Sequence, residues 1–317
     1  MKLSIVIPVY YNELNINPLY DDIKQKLIDK IDFEYEIVMV DDGSGDNSWS
    51  VMKDLAARDK HIKIYHLARN FGSYAASLCG LSHCTGDCAV VKAADLQEPT
   101  EMIHQMIKRW REGYNVVLAV RTDRDEPWHQ KLFASMYYKL TQKFVLSNMP
   151  DGGFDTYLLD RQVIKTLQEF DEKDSALTGQ ILWSGFKTTT VPYIRKAREI
   201  GKSRWTIKKK VKLVMDTLYG FSAVPITIVS LIGMVSVAGA LLWGISVFIG
   251  KMLGRINVDG WTTLFIFNLL SFGVIMLTLG ILGGYLWRTF NATRKRPVYI
   301  IEEMKERTGL ENEDNAE

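Results

Sequence analysis

The sequence predicts an α/β fold with a mostly parallel central sheet, followed by a two-helix transmembrane hairpin. Two observations carry this. Up to about residue 220, short apolar segments alternate with segments whose apolar residues recur at helical spacing; beyond it, residues 226–249 and 262–287 hold no charged side chain. The 317 residues suffice for a large core and about two structural units. With 39 Lys and Arg against 37 Asp and Glu, the formal net charge is +2, which gives no global argument for a nucleic-acid partner.

The first strand is Leu3-Ser4-Ile5-Val6-Ile7-Pro8, closed by its proline. Residues 15–30 place Ile16, Leu19, Ile23, Leu27 and Ile28 at helical spacing. Tyr35-Glu36-Ile37-Val38-Met39-Val40 is the second strand and runs into Asp41-Asp42-Gly43-Ser44; Asp46 or Ser48 then caps a helix carrying Val51, Met52 and Leu55. Residues 62–67 form a third strand, 73–81 a helix, 88–92 a fourth strand, 100–112 a helix and 115–120 a fifth strand. Such alternation builds a parallel sheet covered on both faces. Residues 127–149 carry Leu132, Phe133, Met136, Tyr137, Leu140, Phe144 and Val145, an amphipathic pattern that fits a helix in a membrane interface or ordinary core packing. Cys79, Cys84 and Cys88, with His83 between the first two, lack a paired C-x-x-C and read as small buried side chains rather than zinc ligands.

Polar residues collect at the strand ends: Tyr10, Asn12 and Glu13; Asp41 and Asp42; Arg69 and Asn70; Asp95 and Gln97; Arg121 and Arg124. Open α/β sheets bind ligands there, and this collection suits one nucleotide-sized cleft. No glycine follows the first strand in Tyr10-Tyr11-Asn12-Glu13, which excludes a dinucleotide fingerprint. Asp95 and Gln97, at alternate positions of a strand end, offer oxygen ligands for Mg²⁺ or Mn²⁺ against a diphosphate. The plainer alternative is an acidic first helical turn.

A run of 24 helical residues, as in 226–249, reaches about 36 Å, enough for a hydrocarbon core of about 30 Å. No signal peptide is expected before these spans, because the apolar stretch Lys2 to Val9 is too short for one. Basic residues flank the pair on its outer sides: Arg195, Lys196, Arg198, Lys202, Arg204, Lys208, Lys209, Lys210 and Lys212 before it, Arg288, Arg294, Lys295 and Arg296 after it. The loop between holds only Lys251 and Arg255, so both termini are expected in the cytoplasm. The expected organisation is a catalytic domain over 1–194, a basic juxtamembrane segment over 195–223, the two spans within 224–288 and a cytoplasmic tail over 289–317. Lys208, Lys209, Lys210 and Lys212 fit lipid headgroups.

Four motifs, Pro8-Val9-Tyr10-Tyr11-Asn12-Glu13, Asp41-Asp42-Gly43-Ser44, Arg69-Asn70-Phe71-Gly72 and Asp95-Leu96-Gln97-Glu98-Pro99, resemble the inverting, family 2 glycosyltransferases of the GT-A fold. Leu158-Leu159-Asp160-Arg161, Trp183-Ser184-Gly185-Phe186, Arg195 with Arg198, Gly201-Lys202-Ser203-Arg204-Trp205 and Phe221-Ser222 with Pro225 narrow this. They look like the polyprenyl-phosphate glycosyltransferases, the group containing dolichyl-phosphate mannose synthase and the bacterial bactoprenol glucosyltransferases. The resemblance spans residues 2–300.

It implies inverting transfer of one sugar from a nucleotide sugar to undecaprenyl or another polyprenyl phosphate. The place implied is the cytoplasmic face of a bacterial inner membrane, in cell-envelope glycan modification. UDP-glucose is the first choice of donor; GDP-mannose, a UDP-N-acetylhexosamine and an aminopentose donor are alternatives. Pro8, Tyr10, Glu13, Asp42 and Arg69 match the nucleotide side, and Asp95 and Gln97 the Mg²⁺ or Mn²⁺ and diphosphate ligands. Arg121, Lys131, Ser135, Arg195, Arg198, Lys202 and Arg204 match the acceptor-phosphate side; Asp95, Arg121 and Asp155 are the catalytic candidates, with Asp155 as base or holder of sugar hydroxyls. A tetramer, a separate flippase and a downstream transferase are further expectations. Three positions depart from the family pattern: Ala93 where an aspartate is usual, an added tyrosine that leaves Tyr10 and Tyr11 as alternatives against the base, and Tyr157 in place of an arginine. Ala93 and Tyr157 leave a catalytically silent membrane scaffold as the competing reading. A processive polysaccharide synthase is disfavoured, since Gly201 stands where its Gln-x-x-Arg-Trp motif needs glutamine.

Overall fold

The computed structural model describes residues 1–123, 139, 141–143, 146–170, 176–196, 222, 224–253 and 260–306. Among these residues, eight strands form one sheet in the order β7-β5-β6-β4-β1-β2-β3-β8. The chain runs β1 (Lys2–Val9), α1 (Glu13–Lys26), β2 (Glu34–Asp41), α2 (Ser48–Arg58), β3 (Ile62–Leu67), α3 (Ser73–His83), β4 (Cys88–Val91) and α4 (Met102–Arg111). Then follow β5 (Val116–Asp123), β6 (Phe154–Asp160), α5 (Arg161–Glu169), α6 (Leu177–Trp183), β7 (Thr188–Ile194), α7 (Val224–Met252), α8 (Trp261–Thr293) and β8 (Ile301–Lys305). The helix expected over 15–30 stops at Lys26, and a 3-10 turn over Ile28–Lys30 replaces its end.

Strands β4, β1, β2 and β3 pair in parallel, as does β5 with β7. Alternation along the buried strands sends Leu3, Ile5, Ile7, Ile37 and Met39 to the face covered by α1, α2 and α4. Val6, Val38 and Val40 go to the face covered by α3, α5 and α6. At Gly80 of α3 an added Cβ would stand 2.3 Å from a methyl of Val6, so only glycine lets that helix lie this close to the sheet.

Two strands depart from the simple alternation. β6 runs antiparallel between β4 and β5. β8, in the stretch read as a tail, adds antiparallel to the outer edge of β3. Its neighbourhood is knitted by the Ala68 amide donating to the Ile300 carbonyl at 3.0 Å and by Trp49 Nε1 donating to Glu303 at 2.9 Å.

Helices α7 and α8 pack on each other, and the Tyr285 hydroxyl donates to the Ser222 carbonyl at 2.9 Å. Both are long and apolar enough to cross a membrane. Leu242, Met252 and Leu286 are each about 70% exposed, which suits lipid rather than water. Lys131, Ser135, Arg198, Lys202, Arg204 and Arg124 lie outside the described residues, as do the basic run 208–212 and most of 127–149.

Candidate active site

β4 ends at Val91, short of Asp95. The expectation that Asp95 and Gln97 alternate along a strand end is therefore corrected: they flank Leu96, whose backbone is left-handed at φ 59°. Such a conformation costs a leucine about 1 kcal/mol, and the contacts beneath hold it. Glu98, buried under the turn, accepts from the Ala93 amide at 3.4 Å and from the Thr156 hydroxyl. Lys92, fully buried, donates Nζ to the Glu98 carbonyl at 2.6 Å. Burial lowers the Lys92 pKa, and the charges of Glu98, Asp22 and Asp95 oppose that shift. Asp95 Oδ1 accepts from the Gln97 amide at 3.3 Å, closing the turn.

The end of β7 comes alongside. The Lys196 amide donates to the Gln97 carbonyl at 2.9 Å, and Gln97 Nε2 donates to the Lys196 carbonyl at 3.1 Å. Arg195 Nη2 donates to Gln97 Oε1 at 2.6 Å and stands 3.6 Å from Asp95 Oδ2. Two hard oxygen donors thus converge on one cationic atom, and a carboxylate and an amide oxygen are the ligand types that Mg²⁺ and Mn²⁺ prefer. The pair fits such an ion, with its guanidinium as stand-in. No group of three His, Cys, Asp or Glu suited to a metal occurs among the described residues, and Ala93 adds no ligand.

Next to this turn, β5 carries Arg121 and β6 carries Asp155, and the two form an ion pair. Arg121 Nε also donates to the Tyr193 hydroxyl at 3.2 Å, across the β5–β7 register that sets Arg121 beside Tyr193. Burial raises the Tyr193 pKa; the Glu98 charge adds to the rise, while Arg121 and Arg195 oppose it. Tyr193 is thus bonded to Arg121 and stands two residues before Arg195 along the chain. Sequence reasoning missed Tyr193 and Lys92 as parts of the site. A tyrosine alternating in Val191-Pro192-Tyr193 reads as core, and the only signal was its place two residues before Arg195.

The expected nucleotide side lies past the ends of β1 and β2. Pro8 is within β1, Tyr10 and Tyr11 meet edge to face at 4.7 Å, and Tyr11 is left-handed at φ 54°. The Tyr11 amide donates to Ser44 Oγ at 2.9 Å, and Ser44 Oγ donates to Asp41. Glu13 accepts the Asn47 amide at 2.8 Å. Asp42 faces inward: its carboxylate accepts from Phe71 N at 2.7 Å, Gly72 N at 2.9 Å and Asn70 Nδ2 at 2.8 Å, so it holds the loop that displays Arg69. Arg69 is exposed, with its guanidinium 4.0 Å above the Phe71 ring. Gly43, at φ 64°, has no room for a Cβ against the Arg69 backbone.

Tyr157 belongs to the core: it packs edge to face on Phe154, and burial raises its pKa. Burial likewise pushes the Cys79 and Cys88 thiols up to about 12.

The description "Glycosyl transferase family 2" matches residues 4–168. An uncharacterized glycosyltransferase of Bacillus subtilis is 35% identical over 313 residues, 98% of this chain and 96% of the relative. A bactoprenol glucosyl transferase of Shigella phage SfX is 31% identical over 306 residues, 96% of this chain and 100% of the relative. A mannosyltransferase from Pyrobaculum calidifontis, solved with GDP-Man and Mn²⁺, aligns at 14% identity and TM-score 0.47 over 87% of this chain and 86% of that one. With a GT-A-like mixed sheet, the chain is a glycosyltransferase and belongs to glycosyl transferase family 2.

Proposed function

We propose that the chain transfers a single sugar, with inversion, from a nucleotide sugar to the phosphate of a polyprenol at the cytoplasmic face of a bacterial membrane. One observation carries this reading: the polar group of Asp95, Gln97, Arg195, Arg121 and Asp155 sits on a sheet whose last strand is reached only through two apolar, membrane-length helices. A water-soluble donor and a lipid acceptor can meet there. The near full-length likeness to a bactoprenol glucosyl transferase supports the acceptor class and makes UDP-glucose the first donor. The catalytic unit is then 1–194 together with β8, and the spans lie within 224–288.

The acceptor phosphate, with a second pKa of about 6, is already a competent nucleophile near neutral pH. What it needs is alignment and relief from repulsion by the donor diphosphate. Arg121 supplies positive charge on the acceptor side, and Asp155 takes a residual proton or holds sugar hydroxyls. Asp95 and Gln97 would hold Mg²⁺ or Mn²⁺, which when bound neutralises the leaving diphosphate. Ala93 would offer the ion no ligand, so from this turn Asp95 and Gln97 would hold it.

The test is transfer of radiolabelled sugar from a panel of UDP- and GDP-sugars to undecaprenyl phosphate, with and without Mn²⁺. One donor should give an acid-labile lipid product that requires metal and that Asp95→Ala cannot make. Nucleotide-sugar binding without lipid product from any donor would sink the proposal.

A further inference from the structure

Arg195 occupies the position from which one cation touches both Asp95 Oδ2 and Gln97 Oε1. A divalent ion bridging the same two oxygens would lie about 2.1 Å from each and cannot share that space with a like-charged nitrogen. Gln97 cannot turn to meet an ion elsewhere, because its Nε2 and its backbone carbonyl are both engaged by Lys196. Meanwhile Arg195 Nε is buried and finds no partner among the described residues. A guanidinium with an unsatisfied nitrogen is ready to move to a better acceptor, and a diphosphate, which accepts two parallel N–H bonds, is one.

We propose that Arg195 is an internal counter-ion that closes the Asp95–Gln97 pair until a nucleotide diphosphate draws it away, so that divalent metal and donor bind together rather than in sequence. This rests on the reading of Asp95 and Gln97 as the cation site. Metal alone meets a positive charge already in place. Metal arriving with a diphosphate meets a ligand pair that Arg195 has left, and Arg195 adds its charge to the phosphates. By linkage, the nucleotide must strengthen metal binding by the same factor as the metal strengthens nucleotide binding.

The experiment is Mn²⁺ binding to the full chain in detergent, read by electron paramagnetic resonance, with Mn²⁺ alone and with UDP or GDP present. The wild type should bind Mn²⁺ weakly alone and more tightly with nucleotide. Arg195→Gln should bind Mn²⁺ alone about tenfold more tightly, and the gain from nucleotide should shrink by a similar factor. Arg195→Met keeps the stem's packing without the charge, carries the same expectation, and serves if the glutamine variant fails to fold. Unchanged or weaker nucleotide-free binding in the folded variants, with nucleotide-dependent binding intact in the wild type, overturns the counter-ion role alone. No Mn²⁺ binding to the wild type even with nucleotide overturns the cation site as well.

Discussion

Arg121 and Asp155 are partners across adjacent strands, and the exposure of their side chains differs: 13% for the arginine and 52% for the aspartate. The aspartate is thus the more accessible member, the one that would face substrate in the proposed reaction. Asp155→Asn keeps the shape and the Tyr193–Arg121 bond while removing the proton acceptor. We expect kcat to fall on the order of 10²-fold with the Michaelis constant for lipid phosphate little changed. Steady-state kinetics at saturating donor checks this, and an unchanged kcat removes the base from the mechanism. Asp95, Gln97, Arg121 and Asp155 were legible in the sequence as motif residues. Asp42 shows the limit of such reading, since its neighbours in sequence could not reveal that three loop donors consume its carboxylate. Lys92 was equally opaque, because a lysine ending an apolar run looks like a strand leaving the core, whereas the chain buries it beneath the turn.

At the level of elements, one buried carboxylate ties several strands together. Glu36 on β2 accepts from Ser4 Oγ at 2.6 Å and Thr85 Oγ1 at 2.9 Å, and pairs with Lys2 at 3.0 Å and Lys63 at 3.1 Å. Burial would raise its pKa, but the bonds from Ser4, Thr85 and Lys2 outweigh it and hold the carboxyl at about 2. An unfolded glutamate titrates at about 4.3, so this stabilisation is complete above that pH and lost as pH falls towards 2. Thermal melts between pH 7 and 3 should show the wild type losing stability below about pH 4.3, with Glu36→Gln less stable at neutral pH and flatter in acid. A variant matching the wild type's pH slope would refute the clamp. The parallel half of the sheet was readable because each of its strands is an apolar run between amphipathic helices. β6 was not, since antiparallel insertion between β4 and β5 is a long-range pairing that leaves no mark in local periodicity.

At the scale of the molecule, the strand order joins the segments that precede and follow the two long apolar helices. β8 covers the edge of β3, and His66 on that edge contacts Asp41 at 2.7 Å and Glu302 of β8 at 3.7 Å. A fragment of residues 1–196 should therefore melt at lower temperature than the full chain and self-associate through the bared edge. A peptide of residues 297–306 added in trans should recover part of the loss, and scanning fluorimetry with light scattering reads both. An equally stable, monomeric fragment would make β8 dispensable. The hairpin itself was legible from two uncharged runs, whereas five residues of strand after it, rich in charge, carry too little apolar pattern to announce a sheet edge.

That last strand also imposes a timetable. The ribosome finishes β8 only after both apolar helices have been made, so the nascent sheet waits with β3 uncovered while they are synthesised. Completion of the sheet is thereby deferred until both helices exist, and a chain that stalls before them is left without the strand that seals its edge.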